Sequence, residues 1–175
     1  MKKYPLIITY TGNGKGKTTA ALGLLFRSLG HHKKGAVIQF IKMDSLKTGE
    51  KEFAQQSGVL WENYGSGFTW DDKENKNKAI CEKGFNRVKE ILQDPSFDLV
   101  ILDEFTYTLE FGFLDEKEVI HFFQEYKKRE ERAHIVITGR GASKGIIELS
   151  DLVSEIVEVK HPFTSNIPPQ AIIEY

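Results

Sequence analysis

Hydrophobic positions along this chain fall into short continuous runs separated by stretches of helical periodicity. Apolar runs over 6–10, 35–41, 97–102 and 134–138 are bounded by glycine or charged residues, which predicts strands covered on both faces. A weaker run over 59–64 predicts a further strand. Alternation of Leu152, Val153, Ile156, Val157 and Val159 predicts one near a sheet edge over 152–159. Between these runs the spacing turns helical. Residues 17–29 place Thr18, Ala21, Leu22, Leu25 and Leu29 on one face before Gly30 stops the helix. Residues 77–93 turn Ile80, Gly84, Val88, Ile91 and Leu92 inward. Residues 115–132 do the same with Val119, Ile120, Phe122, Phe123 and Tyr126. Shorter helices are predicted over 49–56 and 142–149. The proline-bearing tail after Lys160 is expected to pack as a terminal arm or strand.

Strands alternating with helices predict an α/β domain with a mostly parallel central sheet and its site at the strands' carboxyl ends. The first strand leads directly into Gly12-Asn13-Gly14-Lys15-Gly16-Lys17-Thr18-Thr19 and then a helix. That order is the one a phosphate-binding loop requires: glycines let backbone N–H groups curl around oxygens, and the helix dipole points there too. Lys17 is expected to reach phosphate and the Thr18 hydroxyl to ligate Mg²⁺. The usual spacing would place a first glycine at position 11, where this chain has Thr11.

The run over 97–102 ends in Asp103-Glu104, like the strand whose acid holds the magnesium shell in such proteins. The pair is expected to share one ion with Thr18. Arg140 follows the strand over 134–138 between Gly139 and Gly141, either as an ordinary surface arginine or as a further contact to the triphosphate. The fold class is therefore P-loop NTPase-like α/β, one domain over 1–175, with a RecA-like strand order open to it. Loop 65–72 carries Phe68 and Trp70 beside two glycines. They read either as lids over the core or as a flat surface for a planar ligand.

Composition narrows the class rather than choosing the activity. A formal charge of −1 over 175 residues gives no general attraction to nucleic acid or anionic membrane. The single cysteine, Cys81, excludes an internal disulfide, suits a reducing compartment, and reads as structural. No apolar stretch is long enough for a membrane span, so the expected location is the cytoplasm. His31 and His32 read as solvated turn residues, and His161 as structural.

Several local sequences taken together resemble the ATP:corrinoid adenosyltransferases of the cobalamin pathway. They are Tyr10–Ala21, Gln39-Phe40-Ile41-Lys42, Gly67-Phe68-Thr69-Trp70, Leu102–Tyr107, Ile137–Gly141 and Val159–Phe163, in the family's order. In that family Thr11 and the extra Lys15 are characteristic. The resemblance implies transfer of the 5′-deoxyadenosyl group of ATP to a Co(I) corrinoid, with tripolyphosphate released. It further implies that ATP lies in the loop reversed relative to kinases and that Phe68 and Trp70 face the corrin. Lys17 and Arg140 then act catalytically on the leaving group. Gly12 through Thr19 and Arg140 bind ATP, and Thr18, Asp103 and Glu104 hold Mg²⁺. A homodimer and an electron donor, flavodoxin or reduced flavin, are implied by analogy. The chain starts almost at its first strand, where many members carry a further segment over the site, and residues 166–175 match the family's ending loosely. The competing readings are a P-loop ATPase or kinase yielding ADP, and a binding module switched by nucleotide.

Overall fold

The computed structural model describes residues 4–42, 48–67 and 76–173. In chain order the elements are β1 (Ile7–Thr11), α1 (Lys17–Gly30), β2 (Gly35–Phe40), α2 (Gly49–Gln56), β3 (Leu60–Tyr64) and α3 (Lys76–Ile91). Then follow β4 (Leu99–Asp103), α4 (Thr106–Glu110), α5 (Glu116–Lys127), β5 (His134–Thr138), α6 (Lys144–Leu149) and β6 (Leu152–Glu155). A 3₁₀ turn, Pro162–Ser165, lies in the tail. The six strands form one sheet in the order β3-β2-β4-β5-β1-β6. Every pairing is parallel, so the expected mostly parallel sheet is parallel throughout.

Strand periodicity divides the core in two. On one face Ile8, Val37, Trp61, Leu99, Ile101 and Val136 meet Ala21 and Leu25 of α1 and Ala54 of α2. On the other, Ile38, Phe40, Val100, Leu102, Ile135 and Ile137 meet α3, α5 and α6. Helix starts are locally specified. Asp115 accepts from the Glu118 N–H at 3.0 Å to open α5, and Ser143 Oγ accepts from the Ile146 N–H at 3.2 Å to open α6.

The ends of α5 and β6 fall well short of the sequence expectation, each for a physical reason. The α5 helix ends at Lys127 rather than 132, where the Ala133 N–H donates to the Tyr126 hydroxyl at 2.7 Å and the chain folds back toward β5. The β6 strand stops at Glu155 rather than 159. Beyond it the backbone leaves the ladder to brace the loop after β1, through Gly14 N–H to the Ile156 carbonyl at 2.8 Å. The tail forms a turn and an exposed arm, the first of the two forms expected of it. Helix α4 has no counterpart in the sequence reading; five residues are too short to show a period.

Phe105, fully buried, pins the chain just after β4. Its ring stands 5.2 Å from Phe40, 5.9 Å from Phe85 and 6.3 Å from Phe123, centroid to centroid. These edge and tilted contacts join β2, α3 and α5 directly beneath the two acids. Replacing Phe105 by Ala is expected to cost about 3–5 kcal/mol of stability, measured by denaturant unfolding. A loss below about 1 kcal/mol would show that this ring is not the anchor.

Candidate active site

The loop between β1 and α1 takes its shape from two neighbours. Gly12 and Gly16 adopt φ of 96° and 114°, which favour glycine. At Gly12 a Cβ would stand 2.5 Å from the Ile156 carbonyl oxygen, and at Gly14 one would stand 2.7 Å from the Val157 backbone. Both positions therefore need glycine because the chain leaving β6 presses on the loop, in addition to any need for phosphate to approach. Thr11 ends β1 in the place of the usual first glycine. Its hydroxyl accepts from the Ala142 N–H at 3.1 Å, so the residue is used to fix the turn before α6.

Lys17 folds back over this loop. Its ammonium donates to the carbonyls of Gly12 at 2.8 Å and Gly14 at 2.7 Å. Burial holds its pKa below the usual lysine value, and the nearby Arg140 guanidinium lowers it further; Glu104 and Asp103 pull the other way.

Behind the loop lies a fully buried carboxylate. Asp103 Oδ1 accepts from the hydroxyls of Thr18 and Thr138, each at 2.7 Å, and its Oδ2 accepts from Gln39 Nε2 at 2.7 Å. Thr18 thus gives its proton to Asp103 and keeps its lone pairs for the cavity. Glu104 follows with φ of 58°, its N–H donating to Thr138 Oγ1 at 2.9 Å. That turn sends its carboxylate toward Lys42 Nζ, 3.9 Å from Oε1, while Oε2 is buried without a hydrogen-bond donor among the described residues.

These groups surround a cavity of about 1120 Å³. Residues 13–19 of the loop form one wall, and Glu104 and Arg140 face them. Gly12 and Asp103 stand behind the wall and support it. Phe68 and Trp70 lie outside the described residues. The donor set presented to a cation is entirely oxygen: the Thr18 hydroxyl, the orphaned Glu104 Oε2 and the Asp103 carboxylate behind them. Hard oxygens of this kind fit Mg²⁺ completed by phosphate and water. Among the described residues no cluster of three or more His, Cys, Asp or Glu forms a self-sufficient metal cage.

Comparison with known proteins agrees with this geometry. A family model described as ATP:corrinoid adenosyltransferase BtuR/CobO/CobP matches residues 3–175. The chain belongs to the ATP:corrinoid adenosyltransferase family. It is 41% identical over 171 residues to a corrinoid adenosyltransferase of Escherichia coli K12, covering 97% of this chain and 85% of that one. It is 40% identical over 174 residues to a corrinoid adenosyltransferase of Sinorhizobium sp, covering 97% and 80%. Identity to the corrinoid adenosyltransferase CobA of Salmonella typhimurium is 39% over 171 residues, covering 97% and 85%.

The adenosyltransferase cavity also contains residues that the sequence reading did not assign. Lys42 follows β2 and balances Glu104. Behind the cavity wall rather than in it, Gln39 is a lone amide inside an apolar strand, a signal that was present but carried no spacing rule. Tyr107 of α4 and Phe111 just after it, stacked at 5.7 Å, and the exposed Ile172 and Ile173 of the tail add apolar surface. His161 caps the 3₁₀ turn by accepting from the Phe163 N–H at 3.1 Å, as a structural residue would.

Burial pushes the Glu104 carboxyl up to about 7, the Asp103 charge adds to this, and Lys42 opposes it. The folded protein therefore binds this proton more tightly than the unfolded chain, where the ordinary value is 4.5. The stability linked to it is complete below pH 4.5 and is lost as pH rises through about 7. Glu104→Gln is expected to flatten the fall in Tm across that window, measured by thermal melts without nucleotide or divalent cation. Parallel Tm profiles for parent and variant would refute the assignment.

Proposed function

We propose that this enzyme transfers the 5′-deoxyadenosyl group of ATP to a Co(I) corrinoid, releasing tripolyphosphate. The observation that carries the reading is the combination, in one cavity, of a complete phosphate loop with room for a second substrate. At about 1120 Å³ the space exceeds the roughly 300–1,000 Å³ of common small-molecule pockets. Family membership over nearly the whole chain supplies the choice among phosphate-loop chemistries, which fold alone does not make.

In the reaction the cobalt electron pair forms a bond to C5′ of the ribose. The C5′–O bond breaks and its electrons leave on the α-phosphate oxygen, so Co(I) becomes Co(III) without a hydrolytic water. The protein's task is to hold the leaving triphosphate and expose the carbon. Loop N–H groups of residues 12–18, the ammonium of Lys17 and the guanidinium of Arg140 are assigned to the growing negative charge. Thr18, Glu104 and, behind them, Asp103 would hold Mg²⁺, which neutralises phosphate charge when bound. Phe68 and Trp70 are assigned to the corrin face on the family resemblance, where they displace the lower axial ligand of Co(II) and ease its reduction. Flavodoxin or reduced flavin is the proposed electron source.

A homodimer is the proposed assembly. Its support is the outer edge of β6, unpaired among the described residues, where Leu152 and Val153, with Val157 just beyond the strand, are exposed. Among the described residues no helix is long and apolar enough to cross a membrane. A single buried cysteine, Cys81, suits the reducing cytoplasm, where we place the enzyme.

Anaerobic incubation with ATP, Mg²⁺ and chemically reduced cobalamin is expected to yield adenosylcobalamin and tripolyphosphate in equal amounts. ADP with phosphate would favour the ATPase or kinase reading instead, and absence of turnover the nucleotide-switched module. Lys17→Ala is expected to reduce turnover by at least about 100-fold, of the order of losing one preorganised charge-stabilising donor. A variant that keeps most of its activity would remove the loop from the mechanism. Phe68→Ala and Trp70→Ala are expected to bind Co(II) corrinoid with its lower ligand retained, seen in absorption and paramagnetic resonance spectra. A ligation state identical to the parent's would refute their role.

A further inference from the structure

Across the carboxyl edge of the sheet runs a row of polar side chains on successive strands. Asn63 of β3 is the register partner of Gln39 on β2, and Gln39 is the partner of Asp103 on β4. Asn63 Nδ2 donates to Gln39 Oε1 at 2.7 Å, and Gln39 Nε2 donates to Asp103 Oδ2 at 2.7 Å. Gln39 is only 4% exposed and Asp103 is fully buried, so water does not substitute for these bonds.

One charge sets the direction of the whole row. An ionised carboxylate only accepts hydrogen bonds, so Gln39 must turn its NH₂ toward Asp103 and its oxygen toward β3. That oxygen needs a donor, so Asn63 in turn must present its NH₂. The row ends at Asn63 Oδ1, buried and without a donor among the described residues. An amide buried at such a cost in an otherwise apolar strand is poorly explained by packing, because Leu would fill the same space. What the row does is restrain the carboxylate from the side opposite Thr18. With Oδ2 held by Gln39, Oδ1 is left for the hydroxyls of Thr18 and Thr138.

We propose that Gln39 and Asn63 are positioning residues for the cation end of the phosphate site. They act through Asp103 and touch neither substrate. By fixing the Asp103 carboxylate they hold the Thr18 proton inward, so that the hydroxyl lone pairs face the cavity whether or not nucleotide is present. This rests on the assignment of Thr18 to Mg²⁺ and extends it to the two amides. Outer partners of this kind change metal affinity by about 10–100-fold in general.

The test compares ATP affinity by titration calorimetry in excess EDTA and at saturating Mg²⁺, for the parent, Gln39→Leu and Asn63→Asp. Asn63→Asp keeps the shape of the side chain but has no NH₂ to donate. In both variants the affinity in EDTA is expected to stay within about twofold of the parent, while the gain on adding Mg²⁺ shrinks about tenfold. The half-saturating Mg²⁺ concentration for turnover is expected to rise by the same factor, with kcat at saturating Mg²⁺ within about threefold of the parent's. An unchanged Mg²⁺ gain in Asn63→Asp would overturn the inference, as would equal weakening with and without the cation, the mark of a purely structural role. If Gln39→Leu does not fold, Asn63→Asp on the half-buried edge strand decides alone. A parent that gains nothing from Mg²⁺ would overturn the cation assignment itself, and the inference with it, a failure distinguishable from the others.

Discussion

The hydrogen bond from Thr18 to Asp103 joins the first turn of α1 to the end of β4, 85 residues away in the chain. It ties the two halves of the site into one geometry: a loop that offers N–H groups on one side and an acid that organises the oxygens proposed for a cation on the other. The bond forms because a parallel sheet brings the ends of β1 and β4 to the same edge, with β5 between them. Thr138, at the end of that intervening strand, donates to the same oxygen and accepts from the Glu104 N–H. Removing either hydroxyl would leave a buried charge short of a donor, which is costly in a low-dielectric interior.

Around that bond the protein supplies rigidity from outside the site. The aromatic contacts of Phe105 hold the carboxyl end of β4 from below, and the backbone leaving β6 holds the phosphate loop from the side. Neither support lies in the cavity, yet each fixes a group assigned to the reaction. Preorganisation of this kind matters for a transfer in which no water is activated and the protein contributes mostly position and charge.

Much of this was legible in the sequence, for reasons that particular residues make plain. The phosphate loop shows because its glycines, lysine and threonine are contiguous. The acid pair shows because it ends an apolar strand, and the parallel sheet shows because its strands read as continuous apolar runs. Gln39 and Asn63 could not be assigned a role, since their meaning depends on which strands lie side by side, and the order β3-β2-β4 is not written in local spacing. Helix α4 is too short to carry a period. The early end of β6 follows from a contact with Gly14, more than 140 residues away in the chain, that only the folded chain creates. Likewise the glycines at 12 and 14 were legible as phosphate-loop residues, but the pressure of Ile156 and Val157 upon them was not.

The posture of Lys17 has a consequence for how the enzyme meets its nucleotide. Its ammonium donates to the carbonyls of Gly12 and Gly14, so that a cation of the chain itself ties the two ends of the loop's bend together. A loop cross-braced by its own side chain is ordered by folding, and a ligand that meets an ordered loop loses less conformational freedom on binding.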